Sequence, residues 1–287
     1  MDTAALARLE HENMIVALTA GGSQVPGARV ERSDGVALIA TGHPLRLFNQ
    51  VIVEGDDASP DAIADAVSVT RERGDRFVVN LRSGIDARYL PLMEELGLVG
   101  LSETPWMPGM ALHPLPPIGS SAQASGHEIR QVSDAAGVAD HIAAAAGGFE
   151  MPEAWLESIV TERLLDLPGA ALYVGYTDGT PVTSGLGIRT GRTIGVYNIA
   201  TVPSARRRGY GGAMTMRVVD DGAAAGCDVA VLQATASGYP VYERLGFRTV
   251  VEYDGFVDPV SLPPVPEGAA GHAHEGPNRA EGSPRGG

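Results

Sequence analysis

The chain contains no lysine: all 21 basic residues among its 287 are arginine. A Walker A loop, whose lysine reaches the phosphates, is thereby excluded, and so is Schiff-base catalysis on a lysine. With heavy use of Ala, Gly and Val, this absence points to a gene of high GC content and a bacterial source. Cysteine is nearly absent as well. Cys227 alone can form neither an intramolecular disulfide nor a cysteine-based zinc site, so a reducing, cytoplasmic setting is expected. No apolar run approaches the ~20 residues of a membrane helix, and the Met1 end is polar, so neither a membrane segment nor a signal peptide is expected. Basic charge is scarce: 35 acidic residues against 21 arginines leave a net charge of −14, which argues against nucleic acid as a main partner.

What is present divides into two units, as the length allows at roughly 150 residues per domain. The Pro/Gly/Ala-rich stretch 262–287 lacks large apolar residues and reads as a disordered tail, with His272 and His274 assigned no metal. A linker at 116–126, rich in small polar residues after paired prolines, separates 1–115 from 127–261. In the second unit, strands are expected at 127–132, 171–176, 182–188, 193–202, 229–233 and 248–257. Helices are expected at 134–146, 152–166, 209–225 and 240–245. Asp178-Gly179 between two apolar runs signals a hairpin. The first unit ends in a weak echo of the second. Phe77 begins a strand that is followed by a helix and Leu96-Gly97-Leu98, as Val229 begins one followed by Leu245-Gly246-Phe247. The two offsets, 152 and 149 residues, indicate an internal duplication.

The informative segment follows the strand at 193–202. Arg206-Arg207-Arg208-Gly209-Tyr210-Gly211-Gly212 opens an amphipathic helix carrying Met214, Val218 and Val219. A helix start offers unpaired N–H groups and a positive dipole end, glycines admit close backbone approach, and arginines add forked donors; this is an anion site. It is not the dinucleotide fingerprint, because Met214 stands where the third small residue belongs and no acidic residue follows at the ribose position.

The pattern Arg-x-x-Gly-x-Gly after a strand ending at Val202-Pro203 resembles motif A of the GNAT superfamily of acyl-CoA-dependent N-acetyltransferases. Tyr242-Glu243-Arg244-Leu245-Gly246-Phe247 is similar to that family's Tyr-x-x-Leu-Gly-Phe motif, and the resemblance spans about 128–256 in element order. It implies an α/β (α+β layered) fold of tandem GNAT-like domains, each a mixed, mostly antiparallel sheet flanked by helices, with the first domain degenerate. It implies acetyl-CoA as co-substrate and no metal. The backbone of Ile199, Ala200 and Thr201 would pair with the pantetheine arm, the amides of Arg206, Arg207, Arg208, Gly209, Tyr210, Gly211 and Gly212 would hold the pyrophosphate, and Tyr242 would protonate the leaving thiolate. The acceptor would be a small-molecule or peptide amine, attacked directly in a ternary complex, and the protein possibly a homodimer. An acyl-CoA- or partner-binding module without turnover is the alternative.

One departure concerns the position seven residues before Tyr242, where many relatives carry Asn and this chain carries Thr235, with Ser237 close by. The general base stays open among Glu150, Glu153, Tyr197 and Asn198. His127, His141 and Cys227 read as structural. The first unit lacks the arginine-glycine loop, and Phe48, Asn49, Trp106 and Met107 would supply a wall of the acceptor pocket or plain packing.

Overall fold

The computed structural model describes residues 1–101, 107–119 and 125–259. The expected tail and Trp106 lie outside the described residues. Helix α1 (Thr3–Gly22) begins where the Asp2 carboxylate accepts a hydrogen bond from the Ala5 amide at 2.7 Å. There follow β1 (Arg29–Ser33), β2 (Val36–Ala40), β3 (Asn49–Val53), α2 (Pro60–Arg73), β4 (Val78–Arg82), α3 (Leu90–Glu95), β5 (Val99–Gly100) and β6 (Gly109–Leu112). The second half runs β7 (Glu128–Gln131), α4 (Ala135–Phe149), α5 (Glu153–Glu157), β8 (Ala170–Thr177), β9 (Thr180–Thr190) and β10 (Thr193–Thr201). It closes with α6 (Tyr210–Ala224), β11 (Val229–Gln233), α7 (Tyr239–Arg244), β12 (Arg248–Val251) and β13 (Tyr253–Val257).

The Asp178-Gly179 hairpin forms as expected, with φ of 51° and 74° at its two corner residues. The helix expected at 152–166 does not run through. It stops at Glu157 and resumes only as a 3-10 turn at Glu162–Leu165, because the intervening Ile159-Val160-Thr161 is a β-branched run that resists helix. Leu156, Val160 and Leu164 still pack beneath α4.

Two sheets form, in the orders β1-β2-β3-β4-β13-β5 and β12-β6-β11-β10-β9-β8-β7. All pairings are antiparallel except β3 with β4 and β10 with β11. The single strand expected at 248–257 breaks at Glu252 into β12 and β13, which lie in different sheets. Each sheet therefore holds one strand from the other half: β6 of the first half lies between β11 and β12, and β13 of the second lies between β4 and β5. With the edge strand β7 set aside, the orders β1-β2-β3-β4-β13-β5 and β8-β9-β10-β11-β6-β12 match position for position, which carries the duplication well beyond the echo seen in sequence. The line drawn between 1–115 and 127–261 is crossed by both exchanged strands.

Helix α1 lies between the sheets. Its Met14 and Ile15 pack on Ala37, Ile39, Ile52 and Tyr253, while Leu6 packs on Ala111, Val229 and Val231. A helix apolar on several sides must be covered on several sides, and its interior polar residues must find partners.

Candidate acyl-CoA site

Strands β10 and β11 pair only over Thr193–Gly195 and Val229–Val231. Beyond that they diverge: β10 continues along β9, with Ala200 opposite Ser184 and Thr201 opposite Thr183, while Leu232 and Gln233 pair with β6. The edge of β10 that faces β11 is thus unladdered over Ile199, Ala200 and Thr201. A bulge between Tyr197 and Ala200 sharpens the fork, with Asn198 at φ +52°. The bulge is held from two sides. Ser184 Oγ donates to the Asn198 carbonyl at 2.8 Å, and Asn198 Nδ2 donates to His141 Nε2 at 2.7 Å. Nδ1 of His141 lies 3.0 Å from the Tyr173 carbonyl, and burial pushes the pKa of the ring down to about 4, so it stays neutral. Asn198 is thereby occupied, and His141 is structural, as expected.

At the mouth of the fork, α6 begins after two left-handed residues, Arg207 at φ +63° and Gly209 at +82°. No side chain caps this helix, and among the described hydrogen bonds none uses the amides of Arg207, Arg208, Gly209, Tyr210, Gly211 or Gly212. Six successive free N–H groups at a helix start form a concave donor nest suited to a diphosphate. Arg207 and Arg208 are exposed and take no side-chain partner among the described residues. Arg206 is engaged elsewhere. Its amide donates to the Pro203 carbonyl at 3.3 Å; its guanidinium donates to the carbonyls of Thr201 and Gly148 and pairs with Glu150 at 2.7 Å. It clamps the C-terminal end of α4 to β10. The Tyr210 ring turns inward and stacks on His127 at 4.3 Å, so this residue offers only its amide.

Tyr242 lies on α7 behind the fork, its ring edge-on to Phe247 at 6.0 Å. Burial pushes its pKa up to about 12, and its hydroxyl has no hydrogen-bond partner among the described residues. The phenol is therefore fully protonated at neutral pH and free to donate. Thr235 uses its hydroxyl locally, within 3.2 Å of both Ser237 Oγ and the Gly238 amide.

Among the base candidates, Glu153 is exposed, Glu150 is paired with Arg206, and the Tyr197 hydroxyl donates to Asn13 Oδ1 at 2.6 Å. The carboxylate that sequence reading missed is Glu10 on α1, fully buried against Gln233 at the end of β11. The one local hint is that Leu6 and Met14, one turn away on either side, share its helix face, while Arg8 and Glu12 beside it are exposed. Asn49, expected as a pocket wall, instead satisfies the Thr41 amide and the His43 and Arg76 carbonyls. The contact from the first half to α5 comes from His43, whose Nε2 lies 3.1 Å from the Trp155 carbonyl and whose ring meets Phe48 and Trp155 edge-on.

The equivalent loop of the first half has no such nest. The amides of Glu54, Ala58 and Ser59 are bonded to backbone carbonyls, Pro60 has no N–H, and Asp56, Asp57 and Asp61 would repel an anion. With Leu96-Gly97-Leu98 set against Leu245-Gly246-Phe247, Met93 stands where Tyr242 does. Among the described residues no group of three His, Cys, Asp or Glu is placed to hold a metal, and no helix is long and apolar enough to cross a membrane.

A sheet opened between two parallel strands, with a helix start at the opening, is the GNAT fold; the parallel pair is built twice here, and the free-amide start once. Residues 175–250 match the family model described as "Acetyltransferase (GNAT) domain". Among solved structures, a GCN5-related N-acetyltransferase from Kribbella flavida is similar at 16% identity and a TM-score of 0.63, over 86% of this chain and 94% of that one. A tandem GNAT protein from the clavulanic acid biosynthesis pathway is similar at 13% identity and a TM-score of 0.58, over 89% and 95%. A GCN5-related N-acetyltransferase from Sphaerobacter thermophilus follows at 15% identity and 0.53, over 79% and 81%. At these identities the likeness shows the fold. No curated protein matches the sequence.

Proposed function

We propose that this protein is an N-acetyltransferase that moves an acetyl group from acetyl-CoA to a primary amine by direct transfer in a ternary complex. The observation that carries this reading is the run of six unbonded amides at 207–212 beside the open edge of β10. The nest fits a pyrophosphate, with Arg207 and Arg208 adding charge, and the unladdered backbone of Ile199, Ala200 and Thr201 fits an extended amide-bearing arm laid down like an added strand. When bound, acetyl-CoA supplies the thioester that the amine attacks. Tyr242 holds the proton that the departing sulfur needs, and burial keeps that proton in place until charge develops. Arg206, Ser184 and His141 act from behind, keeping α4 and the bulge where the fork stays open. The acceptor is a small-molecule or peptide amine.

Calorimetric titration with acetyl-CoA tests the site. Wild-type protein is expected to bind, and Gly211→Trp, which fills the nest with an indole, is expected to abolish binding while leaving the fold intact by circular dichroism. A wild type that does not bind acetyl-CoA overturns the reading. Thiol release in a screen of primary amines then tests the transfer.

A further inference from the structure

We propose that Glu10, carried on a helix of the half that has no cofactor nest, is the group that takes the proton from the attacking amine at the fork of the other half. This rests on the acetyl-transfer reading above. The carboxylate lies at the point where β10 and β11 part. Its Oε1 accepts from Nε2 of Gln233, the last residue of β11, at 2.6 Å, and its Oε2 accepts from the Tyr253 hydroxyl at 2.7 Å. Each oxygen keeps further acceptor capacity. Room for the carboxyl exists because position 109 is glycine: a Cβ there would collide with Glu10 and with Val251. Gln233, which bonds Glu10 directly, and Tyr197, which bonds Asn13 one turn further along α1, are both only partly buried.

Among the described residues no cation holds this carboxylate ionised. The groups around it are Gln233, Tyr253 and Tyr197, with His11 and Asn13 on its own helix; Arg82, which lies near His11, is paired with Asp86 at 2.8 Å. Burial raises the pKa of Glu10 from 4.5 to about 7, the range in which a base both accepts and releases a proton at neutral pH. Its neighbours do not compete. Burial pushes the Tyr197 and Tyr253 phenols well up, and it pushes His11 down to about 4, so all three keep their neutral forms.

The step balances. The amine nitrogen bonds to the acetyl carbon as the carbon–sulfur bond breaks, and the thiolate takes the proton of Tyr242. The surplus proton on nitrogen goes to Glu10, which gives it up before the next turnover, and Tyr242 is reprotonated from water. One proton has moved, net, from amine to thiol.

The test follows thiol release from acetyl-CoA with two amines of different basicity found by the screen, across about pH 5.5 to 9. In the wild type, kcat/KM is expected to fall below a bend near pH 7, at the same place for both amines. Glu10→Gln, which keeps the size and both hydrogen-bond contacts, is expected to lose that bend and roughly 10²- to 10³-fold in kcat. Its calorimetric affinity for acetyl-CoA should not change. A folded Glu10→Gln enzyme that retains both kcat and the bend overturns the proposal; so does a wild-type bend that moves with the amine, a result available even if the variant does not fold. A wild type that binds no acetyl-CoA overturns the transfer reading and this proposal together, whereas binding and turnover with an unchanged variant overturns the proton role alone.

Discussion

The buried carboxyl of Glu10 makes a prediction about stability that needs no substrate. A carboxyl whose pKa is 4.5 in the unfolded chain and about 7 in the folded one binds its proton more tightly when folded. Between those two values the folded state carries more protons than the unfolded state, so stability falls as pH rises through the window and is level on either side of it. The gap, at about 1.4 kcal/mol per pH unit, amounts to about 3 kcal/mol, most of it lost between pH 5 and 8. Two buried histidines pull the other way. His11 and His141, both held neutral with pKa near 4, contribute stability that is complete above about 6.5 and lost as pH falls towards 4. The wild-type curve is a sum of these opposing slopes, so the informative quantity is a difference. Glu10→Gln removes one term and leaves the histidines in place. Urea unfolding of both proteins, read by tryptophan fluorescence at several pH values, gives that difference directly. The variant should gain about 3 kcal/mol on the wild type as pH rises from 4.5 to 7.5. A difference that stays flat across this range would show that the carboxyl is solvated or paired, and would refute the reasoning.

Three further outcomes follow from the geometry. Tyr242→Phe, which removes only a hydroxyl with no partner among the described residues, should lower kcat by roughly 10²-fold or more at unchanged acetyl-CoA affinity; an unchanged kcat would remove Tyr242 as the acid. Arg208→Ala should weaken acetyl-CoA binding and flatten its salt dependence without affecting stability, whereas Arg206→Ala should destabilise the α4–β10 contact, as paired thermal melts and titrations would show. Gly148→Ala would set a methyl 2.6 Å from Ala200 Cβ and 2.8 Å from the Thr201 amide, costing about 1–3 kcal/mol of overpacking and displacing β10 at the fork; urea midpoints and calorimetry read the two effects.

Local elements were more legible in the sequence than their assembly. The helix start at the Arg/Gly loop could be read because it depends on local features, among them a glycine that takes φ of +82°. The hairpin at Asp178-Gly179 was legible for the same reason, and Asp34-Gly35, with φ of 49° and 78°, is the same device between β1 and β2. The strand exchange was not legible. β6 and β13 are both short and largely buried, and a run such as Met110-Ala111-Leu112 satisfies either sheet equally well; only the partner across the ladder distinguishes them. Glu10 was missed for a related reason. Beside Glu12 on one helix it looks like a solvated charge, and it becomes a buried group only because a second sheet covers that face of α1.

The exchange also accounts for why the first half persists without an amide nest of its own. A duplicated domain that has exchanged no structure can be discarded once its site decays. Here β11 is laddered on one side by β10 and on the other by β6, so removing the first half would strip the fork's outer strand of a partner and leave β12 detached. The loss would be mutual, since β13 holds β4 and β5 together. Met93 at the tyrosine position and Pro60 at the helix start lie outside the exchanged ladders. Substitutions in α1 are not equivalent to these. Leu6 and Met14 pack on different sheets, and between them Glu10 bonds Gln233 at the end of β11, so the half without an amide nest remains under constraint from the half that has one.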